Sequence, residues 1–109
     1  LLEARGVSAE IIKLGIIKPN GLEAVLASLK KTGRLIMPEE SCASGCMGEQ
    51  ILALCAQNGL ELRAARLINL GNGIVPQGSV AELWRDYGLD AQGIADAAAQ
   101  LCTAKCCAR

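Results

Sequence analysis

Cysteine is the residue type of this sequence with the greatest capacity for chemistry. The six thiols belong to Cys42, Cys46, Cys55, Cys102, Cys106 and Cys107. Cys42 with Cys46 and Cys102 with Cys106 and Cys107 could together supply a four-thiolate metal site. The three-residue gap within each pair is admissible for zinc but unspecific, and iron–sulfur clusters need further cysteines at fixed offsets. An even count also fits a disulfide framework, but such frameworks are typical of small secreted domains. We therefore favour free thiols, with Cys55 as a small core residue on an apolar helical face.

Acid–base chemistry has few candidate groups in this chain. The sequence contains no histidine, which excludes Ser–His and Cys–His nucleophile pairs within it. Glu39 and Glu40 are paired carboxylates, but adjacent residues of an extended segment point to opposite sides, so at most one can face a given site. A capping or interface role is therefore favoured for these residues, and no catalytic role is assigned.

A glycine-bearing loop that contains Gly45 and Gly48 lies between a predicted strand and a predicted helix. This context suits an anion site at a helix amino terminus. The loop lacks both the G-x-G-x-x-G pattern of dinucleotide folds and the Lys-Ser/Thr pair of a P-loop. We favour the simpler interpretation, in which the glycines let the helix begin close to the sheet.

The elements that must position these residues alternate along the chain. β-branched and apolar runs predict buried strands at residues 10–17, 34–37 and 65–70. Between them, apolar residues recur at helical spacing from Leu22 to Gly33 and from residue 49 to residue 58. The alternation predicts an α/β fold, a three-layer α/β/α arrangement with a mainly parallel sheet, as a single domain over residues 1–109.

Helix ends are marked by local signals. Residues 1–6 resemble a last helical turn closed by Gly6, and Asn20 with Glu23 is predicted to cap the next helix. Ser79 and Glu82 form a predicted capping box for a helix of about two turns. Asp90 is predicted to cap the final helix, whose apolar face comprises Ala91, Ile94, Ala95, Ala98, Leu101 and Cys102.

The carboxyl ends of parallel strands form the edge of the sheet that faces ligands. In this chain the predicted strands end in residues 18–20, 39–48 and 71–78, and the last of these segments includes Gln77 and Gly78. We expect Glu39, Glu40, Gly45, Gly48, Gln77 and Gly78 to shape one loop surface at this edge of the sheet.

Charge and hydropathy exclude two classes of partner. The formal net charge is zero, with 11 basic and 11 acidic residues spread along the chain, so neither nucleic acid nor an anionic membrane is an expected partner. Apolar stretches end well short of the roughly 20 residues that span a bilayer, and the amino end does not resemble a signal peptide. We expect a cytoplasmic protein. The first residue is Leu1 rather than Met, which suggests a fragment of a longer polypeptide.

Two segments resemble a known superfamily. The stretch PEESCASGCMG at residues 38–48 is similar to the Glu-Glu and glycine turn of transketolase carboxy-terminal domains, with Cys46 in place of the second glycine. The residues IIKP at 16–19 resemble the end of a strand of the same domain. The endings NLGNGIVPQGS at 69–79 and GLDAQGI at 88–94 are similar to those of 1-deoxy-D-xylulose-5-phosphate synthases, and the resemblance covers residues 1–100.

The resemblance implies a carboxy-terminal domain that lacks its first strand and belongs to a longer enzyme. That enzyme would condense pyruvate with glyceraldehyde 3-phosphate and release carbon dioxide, giving 1-deoxyxylulose 5-phosphate for isoprenoid precursor synthesis. Thiamine diphosphate and magnesium would be held by the preceding domains, and no cofactor is expected in this fragment. The implied partners are those preceding domains, which the loop surface predicted above would face, and the second subunit of a homodimer. The fragment by itself is not expected to be catalytic.

Two other functions remain open from the sequence. The same domain occurs in transketolases and in 2-oxoacid dehydrogenase β chains, although residues 88–91 favour the synthase branch. From a different class, the six cysteines could equip a non-catalytic, thiol-bearing interaction module.

Overall fold

The computed structural model describes residues 1–17 and 21–103 and shows an α/β fold. A 3₁₀ turn at Glu3–Arg5 comes first, and two strands then alternate with helices. The strands are β1, Arg34–Pro38, and β2, Ala64–Ile68; the helices are α1, Glu23–Thr32, α2, Met47–Gln57, α3, Val80–Asp86, and α4, Ala91–Thr103.

Strands β1 and β2 pair in parallel, with Leu35 opposite Ala65 and Met37 opposite Leu67. Leu35 belongs to the main apolar cluster together with buried residues of α1 and α2, and Met37 and Leu67 pack against that cluster. The alternate positions face α4, as the bond from Arg34 Nε to the Leu101 carbonyl oxygen shows at 3.3 Å. Since successive strand residues point to opposite faces, the sheet lies between α1 and α2 on one side and α4 on the other.

The strand predicted at residues 10–17 is wrong for this structure. These residues form no regular element, and residues 8–17 make no backbone-to-backbone hydrogen bond with any other described residue. Ile11 is 89% exposed and Ile16 is 67% exposed. The β-branched run has the propensity for a strand, but a strand forms only where a neighbouring backbone accepts and donates its hydrogen bonds. The sheet therefore has two strands among the described residues rather than three.

The boundaries of the other elements follow local signals. The turn at Glu3–Arg5 ends at Gly6, and α1 ends at Gly33, both with positive φ. Helix α3 begins with the predicted capping box, in which Ser79 and Glu82 satisfy each other's backbone amides. At the start of α4, Asp90 Oδ1 accepts a hydrogen bond from the Gly93 amide at 2.8 Å.

Three details of the helices differ from the prediction. Leu22 occupies the N-cap position of α1 and makes no side-chain cap, whereas the predicted cap residue, Asn20, lies outside the described residues. Helix α2 begins at Met47, two residues earlier than predicted, because its first amides have a partner elsewhere in the chain. On α4, Ala95 and Ala98 are buried as predicted, but Ala91 and Cys102 are exposed.

Within residues 1–17 and 21–103, no helix has the length and hydrophobicity that a membrane crossing requires.

Candidate functional site

Glu39 caps helix α2 from outside the helix. Its carboxylate accepts hydrogen bonds from the Met47 amide at 2.8 Å and from the Gly48 amide at 3.2 Å. These are two of the four amides that an α-helix leaves unsatisfied at its amino end, and a negative charge is favourable there. The capping role that the sequence favoured for this glutamate pair is thus present at Glu39, and it accounts for the early start of α2.

Gly48 brings the same end of α2 against the sheet. An added Cβ would lie 2.6 Å from Leu67 Cδ2, which is closer than real side chains approach. Gly48 is buried, and the close start of the helix that the sequence predicted is observed. Gly45 differs, because it is exposed and has a φ of 77°, a conformation that favours glycine in the turn that enters the helix. Its amide donates to Glu49 Oε2 at 2.7 Å.

The loops that follow β1 and β2 are joined to each other. The Ala43 amide donates to the Gly71 carbonyl at 2.9 Å, and the Leu70 amide donates to the Ser41 carbonyl at 3.0 Å. Asn72 adds a side-chain bond, because its Oδ1 accepts from the Ser44 amide at 2.9 Å. Backbone pairing therefore continues past the ends of the strands and fixes the two loops relative to the sheet.

Glu40 connects this pair of loops to helix α3. Its Oε2 accepts a hydrogen bond from Trp84 Nε1 at 3.3 Å. Glu39 and Glu40 thus point in different directions, as the sequence predicted for neighbours on an extended segment. We call residues 39–46, residues 69–80 and Trp84 the loop surface. Sequence reasoning assigned no role to Asn72 or Trp84, since neither the Asn-Gly pair nor a lone tryptophan signals its distant partner.

The loop surface exposes apolar side chains. Ile74 is 98% exposed, and Val75, Val80 and Trp84 are also on the exposed side. Gln77 and Gly78 lie in the same segment and are exposed. Four of the six predicted interface residues are exposed: Glu40, Gly45, Gln77 and Gly78. Glu39 is half-buried and Gly48 is buried, and both contribute by holding the start of α2.

The thiols do not converge on a site in the described part of the chain. Cys46 and Cys55 are buried, while Cys42 and Cys102 are exposed and free. Burial raises the pKa of the Cys55 thiol, which disfavours the reactive thiolate. No group of three or more cysteine, aspartate or glutamate residues that could hold a metal ion occurs within residues 1–17 and 21–103. Cys106 and Cys107 lie outside the described residues.

Among the residues that the structure describes, three carboxylates have lowered pKa values, and all three lie on the outside of the molecule. A hydrogen bond from Lys31 lowers the pKa of Glu10, and one from Ser79 lowers the pKa of Glu82. A hydrogen bond from Arg5 Nη1 at 2.6 Å lowers the pKa of Asp96. Each lowered pKa is explained chiefly by one hydrogen-bonded neighbour. These carboxylates therefore form surface contacts with their neighbours rather than an acid–base pair.

Thiamine diphosphate and magnesium do not fit the loop surface. A diphosphate would need free amides at a helix amino terminus, but those of Met47 and Gly48 are bonded to the Glu39 carboxylate. The carboxylates nearby have protein partners of their own, with Glu40 on Trp84 and Glu49 on Gly45. The hydrogen bonds of these residues therefore hold the loop in place.

Comparisons with known proteins identify the family. The family model described as "Transketolase, C-terminal domain" matches residues 1–94. A 1-deoxy-D-xylulose-5-phosphate synthase of Heliobacterium modesticaldum is 36% identical over 104 residues, which is 95% of this chain and 16% of the relative. One from Alteromonas mediterranea is 35% identical over 98 residues, which is 90% of this chain and 16% of the relative.

A second type of relative also matches. An apulose-4-phosphate transketolase subunit of Phocaeicola vulgatus is 30% identical over 94 residues, which is 86% of this chain and 29% of that relative. No solved structure gave a significant match. The chain spans about 16% of the length of the synthases that it matches. From the family match and the parallel sheet between helices, this chain belongs to the transketolase C-terminal domain family.

Proposed function

We propose that this chain is the carboxy-terminal domain of a thiamine-diphosphate-dependent 1-deoxy-D-xylulose-5-phosphate synthase. Its role is structural: it packs on the preceding domains of the enzyme and supports the homodimer. The parent enzyme transfers a two-carbon unit from pyruvate to glyceraldehyde 3-phosphate with release of carbon dioxide. The match to synthases over 95% and 90% of this chain supports the assignment to this branch.

The observation that carries the structural role is the exposed apolar part of the loop surface. Ile74 and Val75 lie on a segment whose start is held by Asn72, and Trp84 is held by Glu40. Apolar side chains that are exposed on a fixed loop are typical of a surface that a partner covers. Because this surface lies at the carboxyl ends of the parallel strands, the partner would contact the edge where ligands of α/β folds bind.

The cofactors belong to the preceding domains in this proposal. When bound there, thiamine diphosphate supplies the carbanion chemistry, and magnesium holds its diphosphate. The residues of this chain contribute no reacting group. Glu39 holds α2, Gly48 lets α2 meet the sheet, and Gln77 and Gly78 lie on the segment that faces the partner.

A chimeric synthase tests this proposal. The last 16% of the Heliobacterium modesticaldum synthase would be replaced by this chain, and product formation would be measured with pyruvate, glyceraldehyde 3-phosphate, thiamine diphosphate and magnesium. We expect activity in the chimera and none in this chain alone or in the relative without its last part. A folded chimera with no more activity than the truncated relative would overturn the proposal.

The second candidate is the same domain of a transketolase, favoured by the match to the apulose-4-phosphate transketolase subunit. An equivalent chimera with that relative discriminates between the two. If this chain restored the transketolase and left the synthase inactive, the assignment would move to the transketolase branch.

A further inference from the structure

Strand β2 has one open side in the described part of the chain, because it pairs only with β1. The Glu39 amide donates to the Ile68 carbonyl at 2.9 Å, so Ile68 directs its carbonyl at β1. In a parallel pair, both backbone groups of one residue point to the same side, and successive residues alternate. Ala65 and Leu67 therefore direct their N–H and C=O groups away from β1. We call these two residues the β2 edge.

A cleft of about 330 Å³ lies beside the β2 edge and is open to solvent. It is on the α4 side of the sheet, where Gly93 and Ala97 of α4 and the turn at Tyr87 and Gly88 line it. Side chains of a strand alternate between the two faces of a sheet. A strand laid along the β2 edge would therefore place every second side chain over this cleft.

Arg66 supplies a positive charge to the cleft. It lies opposite Ile36 in the register, on the face of the sheet that α4 covers, and it lines the cleft. The side chain is exposed and takes part in neither of the two ion pairs that the described residues form. No aspartate or glutamate of the described residues lines the cleft. A guanidinium without a counter-charge beside free backbone groups favours a ligand that carries a carboxylate.

The same charge disfavours a second copy of this chain at the β2 edge. Two copies related by a two-fold axis would pair antiparallel. If Ala65 of one copy bonded to Leu67 of the other, Arg66 would stand opposite Arg66 of the second copy. Like charges directly opposite each other destabilise a strand pair, and a charged side chain on a short edge strand commonly prevents such pairing. The β2 edge therefore discriminates against another β2 and in favour of an acidic strand.

The backbone row favours a peptide over a small metabolite. An extended peptide presents alternating N–H and C=O groups at the spacing that Ala65 and Leu67 present, whereas a metabolite has no such row. Ala65 is exposed, so a peptide backbone can approach it without displacing a side chain. The cleft then accepts a side chain of the peptide, which is how peptides that extend a sheet are selected.

We propose that the β2 edge is the docking site for an extended peptide segment that carries an acidic side chain. The segment adds a strand to the sheet beside β2. Its main chain bonds to Ala65 and Leu67, and its carboxylate pairs with Arg66 on the α4 side of the sheet. This gives the domain a partner site beside the loop surface, in addition to the proposed contact with the preceding domains.

The test uses a synthetic peptide of about seven residues, an ordinary strand length, in which threonine and valine alternate around a central glutamate. Binding to this chain is followed by NMR. We expect the amides of Ala65 and Leu67 to shift most and to saturate. A peptide with glutamine in the central position should bind about fivefold more weakly, because the charged contact is lost.

Two further peptides test the backbone contact. They carry N-methyl groups on the odd or on the even residues of the glutamate peptide. A strand added to an edge uses only one of these two sets of amides, so one methylated peptide should bind at least about tenfold more weakly and the other should keep most of its affinity.

Variants of this chain test the charge. Arg66→Gln should weaken the glutamate peptide about fivefold and remove its advantage over the glutamine peptide. Arg66→Glu should reverse the preference, so that a peptide with central lysine binds better than the glutamate peptide. Lys30→Gln, at an exposed position of α1, removes one positive charge elsewhere and should leave binding unchanged. Urea unfolding checks that the variants remain folded, as expected for exposed positions.

Five results would overturn the proposal. The first is the absence of shifts at Ala65 and Leu67 with millimolar peptide. The second is equal affinity for the glutamate and glutamine peptides, and the third is undiminished binding of both methylated peptides. The fourth is equally tight binding of acetylglutamate amide, which would make the cleft a small-anion site. The fifth is a dimer in sedimentation whose formation shifts the same two amides without peptide, which would make a second copy the occupant.

Discussion

The Glu39 carboxylate lies 2.8 Å from the backbone amide of Met47, which comes eight positions later in the sequence. This bond ties the end of β1 to the start of α2 and closes the loop between them. It also uses the helix amino terminus that an anion would otherwise occupy.

Replacing Glu39 with glutamine should destabilise the domain by about 1–2 kcal/mol, because the helix loses a charged acceptor for two amides. Urea unfolding followed by circular dichroism measures the change. Glu40→Gln is the matched control, since Glu40 makes one long bond to the exposed Trp84 and its replacement should cost less than about 0.5 kcal/mol. Equal losses for the two variants would contradict the capping role of Glu39.

Gly93 should tolerate no side chain. An added Cβ would lie 2.6 Å from Gly88 Cα and 2.7 Å from the Gly88 carbonyl oxygen, and both are backbone atoms. Gly93→Ala should therefore cost about 1–3 kcal/mol in the free energy of unfolding, as overpacked sites do. Gly73→Ala, at a position with open space, serves as control and should be close to neutral. A neutral Gly93→Ala would mean that α4 and the Gly88 turn are farther apart than described.

The capping box of α3 stabilises the helix and also lowers the pKa of Glu82. Ser79→Ala removes the acceptor for the Glu82 amide and should cost about 1 kcal/mol in thermal or urea unfolding. The pKa of Glu82, which is lowered chiefly by its hydrogen bond with the Ser79 side chain, should rise toward its ordinary value in NMR titration. Ser44→Ala is the control, because Ser44 uses its backbone rather than its side chain in the loop contact. An unchanged Glu82 pKa would contradict the capping box.

The ion pair of Arg5 and Asp96 predicts the sign of a pH dependence. The hydrogen bond from Arg5 lowers the pKa of Asp96, so the folded state favours the carboxylate. Its contribution to stability is present above the unfolded pKa of about 3.9 and is lost as pH falls through the lower folded pKa. Since the pair is partly exposed, this contribution is small.

In Arg5→Gln, NMR titration should show a higher pKa for Asp96, and stability should depend less on pH below about 4. Arg85→Gln serves as control and should leave the Asp96 pKa unchanged. An unchanged Asp96 pKa in Arg5→Gln would contradict the ion pair between the amino-terminal turn and α4.

How well the sequence predicts an element depends on how far apart in the sequence its determining residues lie. The glycine end of α1 at Gly33 and the Ser79 capping box use residues within four positions of each other, and both predictions are confirmed. The run at residues 10–17 has the composition of a strand, but its state depends on a backbone partner that is not adjacent in sequence. Propensity alone therefore predicted a strand that the structure does not contain.

The candidate site shows the same limit. The sequence indicates that Glu39 and Glu40 diverge and that Gly48 lies at a close helix start. It does not indicate that Glu40 reaches Trp84, 44 positions later, or that Asn72 reaches Ser44, because such contacts require the sheet to bring the loops together. The roles of Trp84 and Asn72 therefore become visible only in the folded structure.

The exposed apolar residues of the loop surface should matter only when the partner is present. Ile74→Glu should leave the unfolding free energy of this chain within about 0.5 kcal/mol of the original, because the side chain is 98% exposed. In the chimeric synthase the same change should lower activity about tenfold or more, since a charge would be buried in the interface. Ala53→Glu, on the exposed side of α2, is the control and should not lower activity.

Amide hydrogen exchange of residues 72–78, compared between this chain alone and the chimeric synthase, tests most directly whether the loop surface meets the preceding domains. We expect these amides to exchange freely in the chain alone and at least about tenfold more slowly in the chimera, while exposed amides at the end of α2 exchange alike in both. Equal exchange of residues 72–78 in the two proteins, with an active chimera, would contradict the account.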